Sequence, residues 1–76
     1  MKLNQIAPNQ TELTLANGTV VFFSYDTAVC VDTGEEILRT EKKFSVTTSR
    51  HINSWLDGRR AKLVSQSEIN RFAENS

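Results

Sequence analysis

Apolar positions in this chain come in short, strand-like runs up to about residue 47 and at helical spacing beyond it. Leu13 and Leu15 alternate with Glu12 and Thr14, Asn17-Gly18 follows, and Val20–Tyr25 is rich in β-branched and aromatic residues. Asn-Gly between such runs predicts a β-hairpin, because a two-residue type I′ turn needs a positive φ at both central positions. That loop sets Leu15 opposite Val20 and Leu13 opposite Phe22 as a core face. Val21, Phe23 and Tyr25 fall on the other side, so this strand is apolar on both faces and predicts a central strand covered on its second face by a helix or a partner, with the chain's own helices the preferred cover.

Thr27–Val31 predicts a third strand, Asp32-Thr33-Gly34-Glu35 a turn, Glu36–Thr40 a fourth strand and Phe44–Thr47 a fifth. Residues 1–10 have no clear period, and Pro8 breaks either a helix or a central ladder, so they read as an extended lead-in to a meander over 11–47. At Thr48 or Ser49 a hydroxyl residue is placed to cap a helix, and Ile52, Trp55 and Leu56 follow at i, i+3, i+4. Asp57-Gly58 ends it, giving a helix over 48–57. Ala61–Val64 reads as a linker or an edge strand. Ser65 with Glu68 matches a capping box, and Val64 with Ile69 a hydrophobic staple, at the start of a second helix over 65–74. Ile69, Phe72 and Ala73 form its buried stripe, and Glu74–Ser76 are expected to fray. The fold class is α+β: an antiparallel β-meander of four or five strands with one or two short helices packed on one face.

At 76 residues the chain makes one domain, and one of this size buries only about 60% of its unfolded surface. A homodimer is one way for so small a core to gain stability. The lone Cys30 excludes an internal disulfide and supplies too few thiolates for a zinc or iron–sulfur site, which points to a reducing, cytoplasmic setting. In an alternating apolar run it reads as a small buried hydrophobe. No apolar stretch approaches the roughly 20 residues that cross a bilayer, and the N-terminus lacks a signal-peptide pattern, so no membrane partner is expected.

Net charge is zero, but it is divided. Two cations against six carboxylates give residues 1–41 about −4, and seven against three give residues 42–76 about +4. The division marks either a basic face for an anionic partner or two halves that attract each other within the fold.

Candidate chemistry gathers in residues 42–56, which hold the only His and the only Trp. A helix start carries unpaired N–H groups and partial positive charge, and Thr47, Thr48 and Ser49 precede Arg50 and His51 there. These are parts for gripping a phosphate or carboxylate, with Lys42 and Lys43 adding charge. The plainer alternative is that the hydroxyls cap the helix while Arg50 is solvated and His51 makes an ordinary surface hydrogen bond. Phe23, Tyr25 and Phe44 interleaved with Lys42, Lys43, Arg50, Arg59, Arg60 and Lys62 are also the parts of a single-stranded nucleic-acid surface, but the domain is not basic overall, only Tyr25 of these aromatics is amphipathic, and Phe23 and Phe44 are more often core. Catalysis is not expected. There is no paired-carboxylate motif or metal-ligand cluster, and a hydrolase using His51 with Ser49 needs a third, orienting group in a cleft that a domain this small hardly forms. No cofactor is expected.

The segment from Leu15 to Val29, followed by Arg39-Thr40-Glu41-Lys42-Lys43 and by Ser45–Asn53, resembles short phage and viral proteins of a domain-of-unknown-function family. The resemblance covers about residues 12–56, and the Thr47–Asn53 run is its most distinctive part. Ala28 stands where that group would carry proline after Thr27. The resemblance implies provenance, a small protein acting by binding inside an infected cell, and carries over no activity. Two functions lead, a grip on a phosphate-bearing ligand, nucleic acid or nucleotide, at the Thr47–His51 helix start, or an anti-defence inhibitor (anti-CRISPR-like) that docks onto a host protein; a structural virion component is a third. The candidate ligand-binding residues are Tyr25, Lys42, Lys43, Thr47, Thr48, Ser49, Arg50, His51, Arg59 and Arg60.

Overall fold

The structure, a computed structural model, describes residues 2–74. Within them the order is β1 (Lys2–Ala7), β2 (Gln10–Thr14), β3 (Val20–Ser24), β4 (Thr27–Asp32), β5 (Ile37–Thr40), α1 (Val46–Leu56), β6 (Lys62–Val64) and α2 (Gln66–Glu74). The strands form one six-stranded sheet in sequence order. Every neighbouring pair is antiparallel except β5 and β6, which run parallel because α1 crosses between them. The fold is therefore α+β, with more strands than the periodicity predicts.

Strand β6 takes the edge-strand alternative at residues 61–64, and the other added strand lies where local pattern is weakest. The supposed lead-in is β1, paired along β2 through a turn at Pro8 and Asn9, where Asn9 takes φ 62. Pro8 lies outside the ladder, in the turn, where its fixed φ is an advantage. Phe44–Thr47 is not a strand. Ser45 takes extended backbone and its side chain accepts from the Thr48 N–H, so the helix begins at Val46, two residues before the expected start. Its end is capped by Asp57 in the left-handed region, with Gly58 following at φ 82. The fraying expected at the C-terminus falls, for residues 75–76, outside the described residues.

The hairpin forms at Asn17-Gly18, but one residue out of the expected register. Thr14 pairs with Val20, Leu13 with Val21 and Glu12 with Phe22. Only Gly18 of the two turn residues has a positive φ, so the type I′ turn is excluded. The Leu15 N–H donates to the Thr19 carbonyl at 2.8 Å, the Gly18 N–H to the Leu15 carbonyl at 3.0 Å, and the Thr19 N–H to Asn17 Oδ1 at 3.0 Å. The result is a longer loop with glycine at its bulge position.

That shift sorts the core. Val21, Ala28, Val31 and Leu38 pack with Val64 and Ile69, joined by the half-buried Leu13, Phe72 and Ala73, so α2 covers one face of the sheet. Phe22, Val29 and Cys30 pack with Ile52 and Leu56, so α1 covers the other. Val21 and Phe22 are adjacent residues of one strand and point to opposite faces. The helices therefore do not share a face; the doubly apolar β3 is covered on both sides by the chain itself. A bulge opposite Phe22 and Phe23 leaves Val29 and Cys30 together on the α1 side.

Candidate functional site

One end of the sheet gathers the β1–β2 and β3–β4 turns, the loop after β5 and the start of α1. The β3–β4 turn is two residues long, Tyr25 and Asp26, between the paired Ser24 and Thr27. Tyr25 has φ 57, a strained backbone for an aromatic residue, and its N–H donates to the Asn9 carbonyl at 2.8 Å. Its side chain is 48% exposed, and the ring lies 5.7 Å from that of His51.

His51 and Ser24 share a hydrogen bond of 2.8 Å between Nδ1 and Oγ. Ser24 Oγ also donates to Thr48 Oγ1 at 3.2 Å, and Ser45 Oγ donates to the same atom at 3.3 Å. A Ser24 hydroxyl that donates to Thr48 must accept from His51, which requires the hydrogen on Nδ1. A serine beside an imidazole resembles half of a nucleophile pair, but Ser24 is only 2% exposed and its hydroxyl is closed to any substrate. The chain of hydroxyls ties the first two turns of α1 to the end of β3. The partner of His51 is thus Ser24, 27 residues away, rather than Ser49.

Beside this tie, between the start of α1 and strand β6, lies a groove of about 440 Å³. Arg39, Lys42, Lys43, Thr48 and Ser49 line it, with Glu41 the one carboxylate among the lining residues. The volume lies in the range of small-ligand sites, roughly 300–1,000 Å³. Arg39 points to the α1 side because Leu38 points to the other. Its Nε is buried without a hydrogen-bond partner, an orphaned donor of the kind that accompanies a missing acceptor. Phe44, Val46 and Leu63 form an exposed apolar rim, and the Lys42 Nζ lies 5.4 Å from the centre of the Phe44 ring.

Of the residues expected to act together, the groove unites Lys42, Lys43, Thr48 and Ser49. Thr47 and Arg50 are exposed on α1 and do not line it. Tyr25 and His51 stand beside it, joined to it through Ser24 and Thr48. Arg59 and Arg60 lie past the far end of the helix. There Arg59 donates to the Leu56 carbonyl at 3.0 Å and the Trp55 carbonyl at 2.9 Å, pairs with Asp32 at 3.5 Å and covers the Trp55 ring at 4.8 Å. Arg60 lines a depression with Asp32, Glu35 and Glu36.

The reading of the sequence missed Arg39 and Ser24. The alternation in β5 could have supplied Arg39; nothing local marks Ser24, whose partners come from α1. Cys30 is fully buried, and desolvation pushes its thiol up to about 12 against the smaller opposing pull of Arg39 and Arg59. It is an inert core residue. Among the described residues no cluster of three or more metal-ligating side chains forms, and no helix is long and apolar enough to cross a membrane.

No curated protein and no solved structure matches the chain significantly. A family model does match residues 1–71, and the chain belongs to that family, one of unknown function (DUF8033).

Proposed function

We propose that this protein is a non-enzymatic binding protein, phage-encoded and acting in the cytoplasm of the infected cell, that grips a phosphate-bearing ligand, nucleic acid or nucleotide, at the start of α1. The observation that carries the reading is the groove lined by Arg39, Lys42, Lys43, Thr48 and Ser49, with Arg39 Nε buried and unpartnered among the described residues. Three cations against Glu41 leave a net positive site, hydroxyls offer further donors, and the helix start adds partial positive charge. The roles of Thr47, Arg50 and His51 are peripheral in this reading, as flanking charge and support.

The test is fluorescence-polarisation binding to labelled single-stranded DNA, RNA and nucleotides, at low and physiological salt, with a Lys42→Ala/Lys43→Ala double variant alongside. Binding should weaken with salt, and the double variant should lower the slope of log affinity against log salt by about 0.7 for each phosphate contact removed. Absence of binding by the wild type at micromolar protein would falsify the reading.

The second reading, an inhibitor that docks onto a host protein, is favoured by a different place. Strand β1 is a free sheet edge, and Leu3 and Ile6 on it are 69% and 43% exposed. A partner strand added there would use unpaired backbone groups and would be indifferent to Lys42 and Lys43.

A further inference from the structure

The groove at the start of α1 does not end at its own rim. Lys42 and Phe44 also line a second depression of about 420 Å³, whose other walls include Phe23, Asp26 and Glu74. Phe23 and Asp26 in turn line a third, of about 240 Å³, walled by Tyr25 and Leu3. Three depressions thus run in series around one end of the sheet, with Phe44 on the first shared wall, the half-buried Phe23, which also packs against the α2-side core, on the second, and Tyr25 at the far end. Phe44 is 36% exposed and Tyr25 48% exposed.

Resting on the phosphate-binding reading, we infer that the ligand is a short stretch of single-stranded nucleic acid, anchored by its phosphates in the groove and laying its bases toward Phe44, Phe23 and Tyr25. A mononucleotide occupies one depression and leaves two unused, whereas a strand of three or four nucleotides follows the series. Charge along the track decides the orientation. Arg39 and Lys43 stand at one end and Lys42 on the wall shared with the middle, where Asp26 and Glu74 outnumber it, repel a phosphate and accept hydrogen bonds from the amino groups of bases. Beyond the groove the strand therefore turns its bases inward and its backbone outward. The aromatic faces require unstacked bases, so a duplex is a poor ligand. The Tyr25 N–H donates to the Asn9 carbonyl, which holds the strained backbone that carries the outermost ring.

The test compares competitors against a labelled oligothymidylate of twelve nucleotides: thymidine monophosphate, oligothymidylates of three, six and twelve nucleotides, a twelve-nucleotide abasic strand, a duplex and inorganic tripolyphosphate. Affinity should rise at least tenfold from one to three nucleotides and flatten beyond about six, and the abasic strand and the duplex should each bind at least tenfold more weakly than the twelve-nucleotide strand. Phe44→Leu keeps an apolar side chain and removes the π-face; Tyr25→Asn suits the left-handed backbone. Each should weaken the twelve-nucleotide strand about five- to tenfold; Tyr25→Asn should leave tripolyphosphate unchanged, and Phe44→Leu, which also removes the ring beside the Lys42 Nζ, should weaken tripolyphosphate less than it weakens the strand. An abasic strand that binds as well as the base-bearing one, or a monophosphate that equals the trinucleotide, overturns the inference while leaving the phosphate site standing. Failure of every phosphate-bearing probe overturns both.

Discussion

At the C-terminal end of α1 Arg59 donates to two helix carbonyls, pairs with Asp32 and lies on the Trp55 ring, while at the N-terminal end, among the described residues, Arg39 Nε is buried without a partner and Lys43 has no ion pair. The ends of an 11-residue helix are about 16 Å apart, so the two groups of cations cannot serve one small ligand. The difference separates charge committed to the fold from charge left available. Arg59 completes the helix end, satisfying carbonyls that the last turn leaves open and complementing the negative pole of the dipole. Among the described residues no ion pair neutralises Arg39, Lys42 or Lys43, and Glu41 is the one carboxylate that lines their groove. Positive charge there is a surplus, and surplus charge in a concave place is what an anionic ligand can use.

The comparison breaks most readily at Trp55, which makes the C-terminal end a structural unit. Its ring stacks on Phe22 with centroids 5.1 Å apart, its Nε1–H donates to Glu12 at 2.7 Å, and it carries Arg59. Trp55→Ala removes all three and should destabilise the protein by about 3 kcal/mol in urea denaturation. A loss below about 1 kcal/mol would mean that this end is not the anchor described here.

The N-terminal end has its own anchor, and Ser24→Ala tests it. The substitution deletes the hydroxyl that joins His51 to Thr48 and leaves His51 Nδ1 without its partner. Stability should fall by about 1–2 kcal/mol. Cations lining the groove are not part of this tie, so phosphate affinity should fall by no more than a few-fold once the variant is folded. Complete loss of affinity in a folded Ser24→Ala protein would show that the tie and the groove are one device.

Much of this architecture is legible in the sequence where the determining interactions are local. Ser65 caps α2 through the Glu68 N–H, and Val64 meets Ile69 in the core as a staple should. Strands β3, β4 and β5 follow from β-branched runs separated by turn residues. What escapes is what distant contacts decide. Edge strand β1 is exposed along nearly its whole length, so no alternation betrays it. Asn-Gly suits both a two-residue and a longer bulged loop, and the choice between them sets Glu12, rather than Leu13, opposite Phe22, within reach of Trp55. Lys42, Lys43, Arg59 and Arg60 look alike as letters, and only the crossing of α1 over the sheet separates them. The surface at the helix start was half legible: its hydroxyls and lysines are consecutive, whereas Arg39 reaches the groove only through the pleat of β5.

The finest test of the comparison sets one exposed cation from each end side by side. Arg59→Ala removes donors to the Trp55 and Leu56 carbonyls and a partly exposed ion pair of modest worth, and should destabilise the protein by about 1 kcal/mol. Lys43→Ala removes an exposed side chain with no ion pair among the described residues and should leave the denaturation midpoint within error, as surface substitutions of this kind do. The ligand readout should invert that order. Salt-sensitive binding to the labelled oligothymidylate should weaken in Lys43→Ala and stay at the wild-type level in folded Arg59→Ala, since Arg59 lies past the far end of the helix. If Arg59→Ala weakened binding as much as Lys43→Ala at equal stability, the two ends would share a ligand and the division between them would be wrong. If Lys43→Ala destabilised the fold instead, its charge would be a structural one like that of Arg59.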